Sequence, residues 1–258
     1  MQHKKGARLG QHFLRHAWAA AKLAHATTLH HGEVFLEIGP GKGVLTKELL
    51  KLGPVIAIEK DENLVATLRD SFAAEIKGGA LTLIEGDVRN FEPAAHGLES
   101  GKYVVAANIP YYITGEIIRR FLTAHIKPRA MALLIQKEVA DRIVAKNGKE
   151  SLLSLSVKAY GVPRMIAKVG KSHFSPPPSV DSAILAIEHI SNDFFDTVDE
   201  HVFFKMLHKG FASKRKMLRG NLGSIQGFEA CGIPETARPE DLTLDAWRCL
   251  SGCYPPSS

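Results

Sequence analysis

Five apolar runs recur along the first half of this chain: "EVFLEIG", "PVIAIE", "ALTLIEG", "KYVVAAN" and "AMALLIQ". Near-continuous apolar strands are what a parallel sheet covered on both faces requires, because a sheet with one wet face alternates apolar and polar residues instead. The stretches between them, such as "VLTKELLKL" and "NLVATLRDSFAAEI", carry apolar residues at helical spacing. The expected fold is therefore α/β, with helices on both faces of the sheet and ligands beyond the carboxyl ends of the strands. A later pair, "RMIAKVG" and "SAILAIEHI", joined by a proline-rich loop, predicts two further strands that finish the sheet. From about Ser191 the texture turns to short helical segments. The expected division is a catalytic domain over 1–190 and a smaller, all-helical domain over 191–258.

Composition narrows the class of protein. The 258 residues, 45% hydrophobic and 23% charged, suit a globular chain with one sizeable core and a smaller companion. No apolar run approaches the roughly 18 residues of a membrane span. The start, "MQHKKGARLGQHFL", lacks the apolar stretch of a secretory signal, so no membrane association and a cytoplasmic location are expected. A net charge of +6 favours a polyanionic partner. The three cysteines, Cys231, Cys249 and Cys253, are expected to be free thiols. Cys249 and Cys253 have helical spacing, but no second ligand pair lies close in sequence and no metal site is expected.

The chemistry concentrates where the strands end. In "EIGPGKG" a strand runs into a glycine-rich turn with Gly39, Gly41 and Gly43, which lets backbone pass close to a ligand. Val44 takes the last glycine position of a dinucleotide fingerprint, which weakens a phosphate-cradling role. Glu59 closes the second strand 18 residues after Gly41, near the spacing of an acid that binds ribose hydroxyls. At the third strand end, Asp87 in "EGDVRN" offers a carboxylate to an adenine amine. Each acid alone is also compatible with a helix cap; together they outline a nucleoside site.

The fourth strand runs into "ANIPYYIT". Asn108 brings a side-chain carbonyl, Pro110 constrains the turn and has no N–H, and Tyr111 supplies a flat face. The exocyclic amine of a base is a poor nucleophile because its lone pair is delocalised into the ring. Two acceptors gripping its hydrogens favour pyramidalisation and free that lone pair. The Asn108 oxygen and a backbone carbonyl of the Ile109–Pro110 turn would serve, with Tyr111 stacked on the base.

Taken in order, "GQHFL", "EIGPGKGVLT", "IEKD", "GDV", "NIPYYIT" and "FSPPPSVDSAIL" resemble the ribosomal RNA adenine dimethyltransferase family over nearly the whole chain. The resemblance implies a Rossmann-like domain that takes methyl groups from S-adenosylmethionine. It implies transfer to N6 of two adjacent adenines near the 3′ end of small-subunit ribosomal RNA, in a pre-30S or 30S particle, by a monomer. Its cofactor contacts fall on Gln11, His12, Leu14, Gly39, Gly41, Glu59, Asp87 and Asn108. His12 stands where the family motif usually has asparagine, and a contact through its backbone would leave that role intact. The resemblance also gives Phe174 a role, held by Pro176 and Pro178 as the second ring of a sandwich with Tyr111 around a flipped adenine.

The basic stretch "KGFASKRKMLRGNL" predicts a helix from near Ser213 carrying Lys214, Arg215, Lys216 and Arg219, with Arg215 and Arg219 on one face for phosphate contacts. Two other functions share parts of this pattern. A methyltransferase acting on DNA or large-subunit RNA would keep the same clamp, and an assembly factor would bind RNA without catalysis. The "FSPPPSVDSAIL" and "KRKMLRGNL" segments bring the chain closer to the small-subunit type, and an intact cofactor site argues for an enzyme.

Overall fold

The computed structural model describes residues 12–213, 215–223 and 227–254. Its strands are β1 (Phe13–Leu14), β2 (Val34–Ile38), β3 (Val55–Glu59), β4 (Leu81–Glu85), β5 (Tyr103–Asn108), β6 (Ala130–Gln136), β7 (Val162–Val169), β8 (Phe174–Ser175) and β9 (Ser182–Glu188). The helices are α1 (Ala17–Ala24), α2 (Val44–Leu49), α3 (Glu62–Ser71), α4 (Ala73–Lys77), α5 (Thr114–Thr123), α6 (Lys137–Ile143), α7 (Leu152–Lys158), α8 (Glu200–Gly210), α9 (Leu218–Leu222) and α10 (Leu244–Gly252).

Seven strands form one sheet in the order β4-β3-β2-β5-β6-β9-β7. The first five are parallel, and β9 and β7 close the sheet antiparallel, as the later strand pair predicts. Strands β5, β6 and β9 are buried at nearly every position, which explains why their sequences do not alternate. The order reverses between β2 and β5. Their carboxyl ends therefore open a crevice, where ligands of such sheets bind. Phe13 and Leu14 pair antiparallel with Ser175 and Phe174 in a separate two-stranded ribbon.

Among the described residues no helix is long and apolar enough to cross a membrane. Contacts divide the chain into two compact units: one runs to Ala140 and resumes over Val162–Ile190, and the other joins Asp141–Gly161 to the chain from Ser191 onward. The difference from a single cut after residue 190 is the segment carrying α7. Its Leu155 and Ala159 pack with Phe203, Met206, Leu218 and Trp247, so α7 gives its apolar face to the second core. Helical spacing reveals an apolar face but not which core will receive it.

Two sequence expectations in this second unit are corrected. The basic helix starts at Leu218 rather than near Ser213, because Leu218 and Leu222 are the residues that reach the core and Met217 before them is extended. Arg215 consequently precedes the helix and shares no face with Arg219. Lys214 lies outside the described residues. The cysteines are also not all free: Cys231 and Cys249 form a disulfide, their Cα atoms 5.8 Å apart, and Cys253 is free and exposed. The fold brings together two residues 18 positions apart that no local pattern connects.

Close packing of α8 against α10 depends on Gly210. A Cβ there would lie 2.3 Å from the Trp247 ring, which is fully buried. Gly210→Ala should therefore destabilise the protein by about 1–3 kcal/mol through overpacking. Denaturant unfolding checks this, and an unchanged midpoint would mean that Trp247 can move aside at no cost.

Candidate functional site

The crevice between β2 and β5 opens into a cavity of about 430 Å³. Its wall includes His12, Leu14, Gly39, Gly41, Glu59, Asp87, Asn108, Pro110 and Tyr111, residues spread over a hundred positions and brought together by the strand ends. Gln11 lies outside the described residues.

The glycine turn shapes the floor. Gly39 and Gly41 both have positive φ, 65° and 59°, a conformation that L side chains rarely adopt. A Cβ on Gly39 would meet nothing within 4 Å, so its backbone is open to a ligand. A Cβ on Gly41 would come 3.1 Å from the Phe13 ring. The Gly41 N–H donates to Glu59 Oε2 at 3.0 Å, while Glu59 Oε1 accepts from the amides of Lys60 (2.8 Å) and Asp61 (3.0 Å). A carboxylate offers about four acceptor positions, so three backbone donors fix its orientation and leave capacity for a hydroxyl.

Asp87 is engaged more heavily than the sequence indicates. It accepts from Lys60 Nζ at 2.9 Å and from the Arg89 backbone N–H and Nε, both at 3.0 Å. The Arg89 guanidinium holds its carboxyl well below the usual carboxylate range, with Lys60 adding to the effect. Asp87 is thus a charged acceptor already shared by two cations.

Asn108 is aimed by the N-terminal ribbon. Its Nδ2 donates to the His12 carbonyl at 3.0 Å, which leaves Oδ1 as its free acceptor among the described residues. The Pro110 carbonyl accepts from the Ile113 N–H at 3.1 Å, so the Ile109 carbonyl is the turn's remaining acceptor. The Tyr111 hydroxyl lies 2.7 Å from Ser182 Oγ, which anchors the half-buried ring, and burial raises its pKa. His12 contributes through its backbone to Asn108. Its ring lies 5.8 Å from that of Tyr111, and its Nδ1 is 2.8 Å from the Pro176 carbonyl.

Phe174 is a correction. Its ring is 2% exposed, lies in the main hydrophobic core and is not part of the cavity wall, so it does not stand opposite Tyr111. The pairing of Leu14 with Phe174 places it in the ribbon, and burying a phenyl ring there is worth more than leaving it in water. The exposed ring at the cavity is Tyr112, 70% accessible. The second tyrosine of "PYY" was the signal available for it.

Sequence reasoning also passed over Glu37. This acid sits within the apolar run "VFLEI", lines the cavity, is 1% exposed and has no hydrogen-bond partner on either oxygen among the described residues. Thr46 of α2 faces it short of hydrogen-bonding geometry. Burial pushes the Glu37 carboxyl up to about 8, with the charge of Glu59 adding to the shift. An uncompensated acid within such a strand was the legible sign. An unpartnered buried acid beside an open glycine turn fits a ligand that carries positive charge and a ribose, as S-adenosylmethionine does.

A mostly parallel sheet whose strand order reverses over a glycine-turn cavity, with acids and an asparagine at its strand ends, is the arrangement of a Rossmann-like methyltransferase that uses S-adenosylmethionine. The profile of the family described as ribosomal RNA adenine dimethylase matches residues 2–238, and the chain belongs to that family. It is 38% identical to a ribosomal RNA small subunit methyltransferase A of Dehalococcoides mccartyi, over 94% of this chain and 86% of the relative. A protein of the same name from Synechocystis sp. is 34% identical over 96% of this chain and 95% of its own. Among solved structures, the 23S rRNA methyltransferase ErmE shares the fold at a TM-score of 0.78 and 22% identity, covering 94% of this chain and 99% of its own. A dimethyladenosine transferase from Plasmodium falciparum does so at the same TM-score and 24% identity, with the same coverage.

Two outcomes follow from the buried groups. Because the Glu37 carboxyl is raised to about 8 from 4.5, the folded chain holds a proton there that the unfolded chain releases. That contribution to stability is complete below pH 4.5 and is lost as pH rises through about 8. Wild-type stability should therefore fall across this window by a few kcal/mol more than that of Glu37→Gln, since each tenfold change in proton affinity is worth about 1.4 kcal/mol. Unfolding curves at a series of pH values test it, and parallel profiles would contradict it. Phe174→Ala should lower stability by about 3–5 kcal/mol and Phe174→Leu by much less. An unchanged melting temperature in the alanine variant would show that the ring does not pack in the core.

Proposed function

We propose that this enzyme transfers methyl groups from S-adenosylmethionine to the N6 amines of two adjacent adenines near the 3′ end of small-subunit ribosomal RNA, leaving N6,N6-dimethyladenosines. It acts as a cytoplasmic monomer on a pre-30S or 30S particle. Support for small-subunit RNA comes from the relatives, which carry that name at 34–38% identity over nearly the full chain.

Bound in the cavity, the cofactor supplies an electrophilic methyl group on a sulfonium. Glu59 holds a ribose hydroxyl with the acceptor capacity its three backbone donors leave. Gly39, Gly41, His12 and Leu14 pack along the cofactor, and Asp87 accepts from its adenine amine; Gln11 falls outside the described residues. The target adenine enters with its N6 between Asn108 Oδ1 and the Ile109 carbonyl, while Pro110 keeps the turn free of a competing N–H. Tyr111 stacks on the base. Asn108 Oδ1 and the Ile109 carbonyl would act as two preorganised dipoles that stabilise the positive charge developing on N6 as it is methylated, before its surplus proton passes to solvent. Arg215 and Lys216 are exposed and suit phosphate contacts together with Lys214. Arg219 pairs with Glu235 and joins them only by leaving it.

The observation that carries this reading is Asn108, whose amide is turned by the His12 carbonyl so that its oxygen is the atom left to grip the substrate. Asn108→Ala should slow methyl transfer by about 10²-fold or more while changing cofactor affinity much less. Single-turnover kinetics and calorimetry on the same variant measure both. Mass spectrometry of small-subunit RNA from cells with and without the protein should show the two dimethyladenosines appear only with it. Unmodified adenines in both would overturn the substrate.

A further inference from the structure

The side chain that the catalytic reading leaves unused is Trp18. It is the second residue of α1 and is 52% exposed, although its neighbours Ala19, Ala20, Leu23 and Ala24 bury that helix in the core. A single exposed apolar residue needs no explanation, but this ring is part of an array. Its centroid lies 5.6 Å from that of His173 with the planes 35° apart, and His173 meets His16 edge-on at 4.9 Å. Arg15 and Lys171 are exposed beside these rings, and Arg15 makes no ion pair among the described residues. The acid nearest in chain, Asp181, is neutralised by Lys168 at 2.9 Å and accepts from the Lys171 backbone N–H at 3.2 Å. The patch is aromatic, and the charged residues next to it in the chain, Arg15 and Lys171, are basic.

Its residues Arg15, His16 and Trp18 also neighbour, along the chain, those that line the catalytic cavity. The Arg15 N–H donates to the His173 carbonyl at 2.9 Å, one step beyond the Leu14–Phe174 pair of the ribbon. His12, Phe13 and Leu14 line the cavity, and Trp18 follows Leu14 by four positions, a reach of at most about 14 Å. A target base drawn out of its strand leaves its neighbours without a stacking partner. An aromatic face flanked by cations replaces that partner whatever the neighbouring base is.

We propose that Trp18, backed by His173 and His16, is a stacking platform for an unpaired nucleotide of the RNA substrate next to the adenine held by Asn108. This rests on the reading of the enzyme as an RNA methyltransferase, and the measurement separates the two. Trp18 and Trp247 are the chain's two tryptophans, and Trp247 is fully buried. Tryptophan emission of the full-length protein therefore reports on the platform without a label. The probe is a single-stranded RNA of about a dozen nucleotides containing two adjacent adenines, with inorganic polyphosphate as a purely electrostatic control.

The RNA should quench emission saturably, and polyphosphate should bind without quenching. Trp18→Ala should weaken RNA binding, read by anisotropy of an end-labelled strand, by roughly tenfold to a hundredfold, the usual loss of one stacked base. Trp18→Phe should keep affinity within a few-fold and abolish the quenching, and neither variant should change S-adenosylmethionine binding. RNA that binds wild type without touching the emission, or binds Trp18→Ala equally well, overturns the platform and leaves the RNA reading standing. Quenching by intact small subunits but not by free RNA also overturns it, because the ring then meets a feature of the assembled particle rather than an unpaired nucleotide. A strand that fails to bind wild type at all overturns the platform as a site for unpaired RNA, while the mass spectrometry of small-subunit RNA still decides the RNA reading on its own.

Discussion

One hydrogen bond organises the catalytic end of the sheet: Asn108 Nδ2 to the carbonyl of His12, joining residues 96 positions apart. The ribbon of Phe13–Leu14 with Phe174–Ser175 has two ladder pairs of its own, too few to be stable alone. It is held by the core below, through Leu14 and Phe174, and by this bond at the cavity. Once seated, the ribbon brings Phe13 against Gly41, puts His12 beside Tyr111 and turns Asn108 so that Oδ1 is the acceptor it leaves free among the described residues. The same backbone atom thus fixes which way round the Asn108 amide stands in the cavity wall.

Three acids surround the cavity in three different environments. Glu59 is fixed by backbone donors, Asp87 is held ionised by Lys60 and Arg89, and Glu37 is buried without partners and protonated more readily. Burial acts against the charged form and nearby cations favour it, so one cleft can hold carboxylates with different charges at one pH. The arrangement suits a ligand that arrives with a positive sulfur and leaves without it, because the least solvated acid responds most to a change of charge nearby.

Rings near the cavity divide by what anchors them. Tyr111 is tethered by Ser182, Phe174 is taken by the core, and Tyr112 and Trp18 remain accessible. Stacking on nucleic acid requires a face in solvent, so burial and not residue type decides which aromatic can meet RNA.

The α/β architecture and the strand-end site were legible in the sequence because both depend on local pattern. Buried parallel strands must be apolar throughout, and a glycine turn, an acid and an asparagine at successive strand ends must converge once those strands are parallel. Glu59, Asp87 and Asn108 therefore meet where their positions in the chain imply. What the sequence left undetermined depends on distant neighbours. Phe174 reads as a stacking ring beside prolines, and only its ladder partner Leu14 and the core beneath show that it is buried. The segment "SKRKMLRGNL" has helical charge spacing, yet its helix waits until Leu218 because that is where apolar side chains find a core. Cys231 and Cys249 become neighbours only when α10 folds back on the chain before it. Local patterns determine which elements form; the tertiary structure decides which face is buried, because burial is a contest among all the apolar surfaces in the chain.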